Sequence, residues 1–135
     1  MKANSIIPVM TKEVVSISPN QDLLDVKHIY EKKKWHHHIP VLEKDKLVGM
    51  VSLVDFMYHI AGAGIDDDHE VYKTLKVKDI MTPNPFYLTT KSSVEEVAKV
   101  LSTQYYRAVP ILEDDKLVGI VSTADIINYY LNNTL

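Results

Sequence analysis

The sequence predicts an α/β (α+β) fold made of two tandem repeats, each a small β-sheet packed with helices, the two related by pseudo-twofold symmetry. Three observations predict it. The stretch IPVLEKDKLVGMVSLVDFM (39–57) recurs as VPILEDDKLVGIVSTADII (109–127), with eleven of nineteen positions identical at an offset of 70. Six of the remaining eight positions exchange one apolar residue for another, so the copies share a buried pattern as well as identities. Upstream, VMT (9–11) returns as IMT (80–82) at an offset of 71, and the two copies therefore differ by one residue between Tyr30 and His38. Within each copy a stretch of helical period gives way to two short β-rich runs.

Taken in order, each copy begins with its VMT or IMT tripeptide and an extended stretch, EVVSIS (13–18) or PFYLTT (85–90). An amphipathic helix follows, with apolar residues at Leu23, Val26 and Tyr30 in one copy and Val94, Val97 and Leu101 in the other. Ser93 with Glu96 has the spacing of a capping box, and Asp22 with Asp25 is its analogue in the first copy. Next come IPVLE or VPILE, a charged turn (KDK or DDK) and LVGMV or LVGIV, a spacing that predicts a hairpin. A closing helix begins at Ser52 or Ser122. Between the copies, AGAGIDDDHEVYKTLKVKD reads as a linker with a short helix, on its glycines and acidic run. The expected organisation is repeat 1 over 1–66, linker over 67–78 and repeat 2 over 79–135. A unit of about 60 residues buries too little surface to stand alone, so two copies are expected to share a core and form two equivalent clefts where they meet.

Composition removes several function classes. With no cysteine, thiolate metal sites, disulfides and cysteine nucleophiles are excluded. A net charge of -3 offers no blanket of positive potential for nucleic acid. The N-terminal apolar run is too short for a signal peptide or a membrane span, which predicts a cytoplasmic protein with no membrane partner. The sequence carries no nucleophile–base pair of recognisable spacing, no Gly-rich phosphate loop and no metal motif, so it is not expected to be an enzyme.

Two features invite a chemical reading. GMVSLVD and GIVSTAD place Ser52 with Asp55, and Ser122 with Asp125, three apart where a strand yields to a helix. One reading is helix capping, in which serine and carboxylate satisfy open backbone N–H groups. The other is ligand recognition, with the carboxylate accepting from both hydroxyls of a ribose, and the two are compatible. The second feature is KKWHHHIPVL (33–42), in which His36, His37 and His38 precede a β run. Neighbouring side chains on an extended chain face opposite ways, so His36 and His38 can share a side while His37 cannot. Histidines half-buried at a strand start and a metal site with DDDHE (66–70) are the readings open to them from the residues alone.

The order of these motifs, (V/I)MT, helix, hPhh-turn-hhGhhSxxDhh with h apolar, twice in tandem, resembles a cystathionine-β-synthase (CBS) domain pair, or Bateman module. The resemblance runs from about residue 5 to 130. It implies clefts that bind an adenosine-containing ligand (AMP, ADP, ATP or S-adenosylmethionine), regulation of a partner protein, and a homodimer formed through helices. It places the ribose-binding carboxylates on Asp55 and Asp125, beside Ser52 and Ser122. Arg107, the only arginine, its counterpart His37, and His38, which stands opposite Ala108, fall where such pairs hold phosphate. A guanidinium offers charge and bidentate geometry, whereas imidazole contributes charge only when protonated, near pH ~6.5. The walls of an adenine pocket are expected from Val14, Val15 and Ile17 and from Phe86, Tyr87 and Leu88. Ser16 supplies a hydroxyl where the second copy has Tyr87, and Ala108 replaces a basic residue, which implies two unequal clefts. Tyr129, Tyr130 and Leu131 on the last helix are candidates for a subunit interface.

Overall fold

The computed structural model describes residues 4–32, 37–60 and 62–133. These divide into two compact units, one of residues 15–85 and one that joins the segment up to Val14 with the residues from Phe86 onward. No helix among the described residues is long and apolar enough to cross a membrane.

In the unit of 15–85, the elements are α1 (Leu23–Lys32), β1 (His38–Glu43), β2 (Lys46–Ser52), α2 (Leu53–Ile60), two short helices α3 (Val71–Thr74) and α4 (Val77–Ile80), and β3 (Thr82–Pro83). Strands β1 and β2 form an antiparallel hairpin, and β3 adds antiparallel to β2. On the other side of β1, Ile17 makes a parallel bridge to Val41. In the other unit, β4 (Leu88–Thr89), α5 (Val94–Ser102), β5 (Ala108–Glu113), β6 (Lys116–Ser122) and α6 (Thr123–Asn133) repeat the plan. Here β4 runs parallel to β5, β5 pairs antiparallel with β6, and Thr11 bridges to Ile120. The units are α+β copies of one topology.

The hairpins match in detail because their sequences do. Lys44 and Asp45 take φ of 51° and 66°, and Asp114 and Asp115 repeat these values. Positive φ at both central residues is the type I′ geometry, whose twist matches that of the flanking strands. The register then slips between Val41 and Leu42, and between Ile111 and Leu112. Val48 and Val118 are the extra residues of these bulges, each next to a glycine.

Each unit takes its last piece of sheet and its helix-start contacts from the other copy of the sequence repeat. Segment 4–11 lies on the unit of α5 and β6: Val94 N–H donates to the Asn4 carbonyl at 2.8 Å, Ser5 pairs with Ser93, and Thr11 exchanges two bonds with Ile120 at 2.9 and 3.0 Å. Segment 75–82 does the same for the unit of α1 and β2, with Leu23 N–H on the Leu75 carbonyl at 3.1 Å, Asp22 pairing with Lys76 and Thr82 with Met50. Where the segments cross the hairpins, the side chains of Met10 and Met81 fill the space over Gly119 and Gly49. The repeat in sequence and the compact unit in space are thus offset by about one segment.

The apolar periodicity buries what it predicts. Leu23, Val26, Ile39, Val41 and Val51 sit in one core, and Val94, Val97, Leu101, Val109, Ile111 and Val121 in the other. The Ser93–Glu96 capping box forms, with Glu96 N–H on Ser93 Oγ at 3.1 Å. The EVVSIS stretch pairs with β1 at Ile17 and is followed by the turn at Pro19–Asn20. The stretch between the copies is also more than a connector: Tyr72 and Val77 are buried in the core of the 15–85 unit.

Its acidic run is anchored as well. The side chain of Lys27 on α1, only 6% exposed, pairs with Glu31 at 3.0 Å and with Asp67, while His28 Nε2 lies 2.9 Å from the other Asp67 oxygen. The hydrogen bond from Lys27, aided by His28, holds the Asp67 carboxyl below its usual range. In return the bond to Asp67 raises the Lys27 ammonium against the opposing effect of burial. A lowered folded-state carboxyl stabilises the fold above the ordinary carboxylate value of ~3.9, and that contribution disappears as pH falls through the lowered value. The raised ammonium contributes fully below its ordinary ~10.4 and is lost as pH rises through the raised value. Asp67→Asn is therefore expected to melt below the parent by a constant margin between about pH 5 and 9, the margin closing toward acid. A margin unchanged down to about pH 2 would exclude this pairing as its source.

Candidate functional site

In the 15–85 unit, Ser52 ends β2 and Asp55 lies in the first turn of α2. The Asp55 N–H donates to Ser52 Oγ at 3.0 Å, which satisfies one of the helix's open donors. His37 is exposed just before β1, and its carbonyl accepts the Leu53 N–H at 2.7 Å, tying it to the start of α2. His38 is half-buried and stands opposite Ser52 in the hairpin register. Val15, half-buried, and Ser16, exposed, precede Ile17 on the far side of β1. His36 lies outside the described residues. Tyr30 reaches the Val51 carbonyl through its hydroxyl at 3.4 Å and stacks at a tilt on Phe56. Burial, with the negative charge of Asp55 as a second cause, pushes its phenol well above the usual tyrosine range.

The second unit builds a fuller version of the same device. Asp125 N–H donates to Ser122 Oγ at 3.2 Å, and Asp125 Oδ2 accepts from the Ser122 N–H at 2.9 Å and from Thr11 Oγ1 at 3.5 Å. Capping, one of the two readings of these motifs, is realised in both copies. A carboxylate has two oxygens and about four acceptor positions, so the bonds on Oδ2 leave capacity for a second partner. Arg107 is exposed and its carbonyl accepts the Thr123 N–H at 3.3 Å, which sets it beside the start of α6 as His37 is set beside α2. The structure thus gathers Arg107, Ser122 and Asp125 at one end of a hairpin, and His37, His38, Ser52 and Asp55 at the matching end of the other.

Two cavities open in this second unit. One of about 370 Å³ is lined by Pro8, Val9, Asp125, Asn128, Tyr129, Asn132 and Asn133. The other, of about 300 Å³, includes Tyr87, Thr89, Lys91 and the turn residues Glu113, Asp114 and Asp115. Tyr87 and Asp125 therefore face different cavities within their unit. Sequence reasoning missed Thr11, whose hydroxyl reaches Asp125, although the recurrence of threonine in VMT and IMT was its signal. It also missed the stacking of Phe86 on Tyr106.

Among the described residues, His28, Glu31 and Asp67 are the group whose donor atoms come within 4.8 Å of one another. The Lys27 ammonium already bonds both carboxylates of this group, so a divalent cation would meet a fixed positive charge at its ligands. The cluster reads as a structural ion network.

The CBS domain family matches this chain twice, over residues 5–62 and 77–132. MJ0188, an uncharacterized protein of Methanocaldococcus jannaschii, is 30% identical over 127 residues, which are 93% of this chain and 43% of that protein. This chain thus spans less than half the length of that relative. Among solved structures, CBSX2 in complex with AMP superposes with a TM-score of 0.82 at 24% identity, covering 98% of this chain and 99% of CBSX2. The CBS domain pair of MJ0100, in complex with 5′-methylthioadenosine and S-adenosyl-L-methionine, gives 0.81 at 21% identity, over 98% of this chain and 100% of the other. At these identities the superpositions establish the shared fold.

Proposed function

Because the chain belongs to the CBS domain family and carries that domain twice, we propose that it is a regulatory module that binds an adenosine-containing ligand and signals to a partner protein. The observation that carries this reading is the duplicated helix start: Ser52 with Asp55 beside His37, and Ser122 with Asp125 beside Arg107. Asp55 and Asp125 take the ribose hydroxyls. Arg107, His37 and His38 meet a phosphate or other anionic group, with Ser52, Ser122 and the helix N-termini adding N–H and O–H donors. Val15 and Ser16 contribute to the walls around the base in their copy, whereas Tyr87, which faces a different cavity from Asp125, is not assigned to the wall beside that carboxylate. The ligand is AMP, ADP, ATP or S-adenosylmethionine, the module is not itself catalytic, and it acts in the cytoplasm as a homodimer. Its regulatory content is differential affinity for two arrangements of the module, since a ligand that binds both equally shifts nothing.

Thermal unfolding of the full chain with AMP, ADP, ATP and S-adenosylmethionine tests this. At least one should raise the melting temperature, because a ligand at about 100 times its Kd adds about 2.7 kcal/mol to the folded state. Asp125→Ala is expected to abolish or sharply reduce the shift. Stabilisation of the parent by none of the four would reject the proposal.

A second reading is favoured by a different observation. Helix α2 exposes Val54, Met57 (59%) and Tyr58, and α6 exposes Ile127, Tyr130 and Leu131 (71%), each set at helical spacing. A scaffold that assembles through these faces, with no ligand, would show the same surface. The ligand screen separates the two readings.

A further inference from the structure

The Asp125 carboxylate is held from two directions on one oxygen. Its Oδ2 accepts the Ser122 N–H at 2.9 Å and the Thr11 hydroxyl at 3.5 Å, and no hydrogen bond from a described residue falls on Oδ1. Sheet pairing explains the approach of Thr11. It exchanges both backbone bonds with Ile120, so the two side chains stand on one face of the sheet. Ser122 lies two residues further along β6 and shares that face. Threonine is branched at Cβ and has few rotamers, so a paired backbone confines its hydroxyl to a small region. The same segment lays Pro8 and Val9 beside Asp125 in the wall of the cavity of about 370 Å³.

The first copy has the same residues in the same register without this bond. Thr82 pairs with Met50 as Thr11 pairs with Ile120, and Ser52 and Asp55 are placed as Ser122 and Asp125 are. Ser52 Oγ accepts the Asp55 N–H, but the Asp55 carboxylate takes no hydrogen bond from any described residue. We propose that Thr11 is a positioning residue for Asp125, a role that rests on the function proposed above. With two protein donors on Oδ2, the carboxylate plane is set before a ligand arrives and Oδ1 is left for a ribose hydroxyl. The carboxylate of Asp55 must be ordered by the ligand itself, which costs affinity. The position built on Asp125 is therefore the tighter of the two.

Calorimetric titration of the full chain tests this with AMP, ADP and ATP, each paired with its 2′-deoxy counterpart, and with S-adenosylmethionine. An Asp55→Ala background leaves Asp125 as the carboxylate being read. There Thr11→Val keeps the shape of threonine without its hydroxyl, and should weaken ribonucleotide binding about 3- to 10-fold, as loss of one hydrogen bond does. The 2′-deoxy nucleotide lacks one of the hydroxyls that the carboxylate receives and should weaken less, so the preference for ribose narrows. Thr11→Ser should restore affinity and preference together; for S-adenosylmethionine this rescue is the readout. A residue that merely held the segment would weaken both sugars alike, and unliganded melting temperatures check that folding is unchanged. Equal losses for both sugars, or parent-like affinity in Thr11→Val, would overturn the positioning role while leaving nucleotide binding intact. Binding that the parent shows and Asp55→Ala lacks would overturn it too, by placing the ligand on the first copy. A parent that binds none of the probes would instead overturn the function on which the role depends.

Discussion

Tyr72→Ala is expected to lower the unfolding free energy by about 3–5 kcal/mol, the range for truncating a buried aromatic. Tyr72 has no exposed surface, its ring stacks with Phe56 at 6.3 Å, and Lys27 Nζ lies 5.6 Å from its centroid. Its hydroxyl donates to the Gly64 carbonyl, which holds the glycine-rich stretch against the unit. Domains of this size have about 5–15 kcal/mol in total, so the variant stands close to unfolding at physiological temperature. Tyr72→Phe separates the contributions: it retains the packing and removes only the hydrogen bond, for about 1 kcal/mol. Denaturant titrations of both variants, compared at equal slope, measure the difference. A loss below about 1 kcal/mol in Tyr72→Ala would mean that the stretch between the repeats is the passive connector its composition suggested.

Gly119→Val comes second in expected effect. A Cβ at Gly119 would stand 2.6 Å from Met10 Sδ, 2.9 Å from Met10 Cγ and 3.0 Å from the Thr11 carbonyl oxygen. The methionine tail can swing away at little cost, but Thr11 is held by its backbone bonds to Ile120. Alanine should therefore be tolerated with a loss near 1 kcal/mol, whereas valine forces the segment off the sheet at about 3 kcal/mol or more. Gly49 meets Met81 Cγ at 3.0 Å and Cβ at 3.2 Å in the same way. The mechanism has its own check in a double-mutant cycle. Met10→Ala should relieve part of the cost of Gly119→Ala, a coupling that independent sites would not show. Additive losses would place the strain elsewhere.

The two predictions mark where reading the sequence succeeds and where it stops. Helical periodicity identified α1 and α5, because burial of one face imposes a spacing that the chain displays directly, and short β-rich runs on either side of a charged turn identified both hairpins. Asp114–Asp115 and Lys44–Asp45 fell in the expected turns for the same local reason. The Ser–Asp pairs at 52/55 and 122/125 were visible as capping chemistry, and their hydrogen bonds are present. Tyr72 was obscured by the glycines and carboxylates around it, since composition averages over neighbours and cannot register one fully buried ring. Lys27 and Asp67 lie forty residues apart, and no local pattern joins them. The Phe86–Tyr106 stack brings together two loops whose proximity depends on the parallel pairing of β4 with β5.

By itself, the chain determined that one small α+β plan is written twice, which residues of each helix and strand face inward, and which serines and carboxylates sit at helix starts. These are short-range properties, set by side-chain period and by backbone donors that must find partners nearby. Tertiary structure alone decided that segments 4–11 and 75–82 complete the unit formed by the other copy, laying methionines over Gly119 and Gly49. When two copies of a sequence offer nearly the same partners, local preference cannot choose between them; the choice falls to the close packing of a whole unit, which no window of sequence contains.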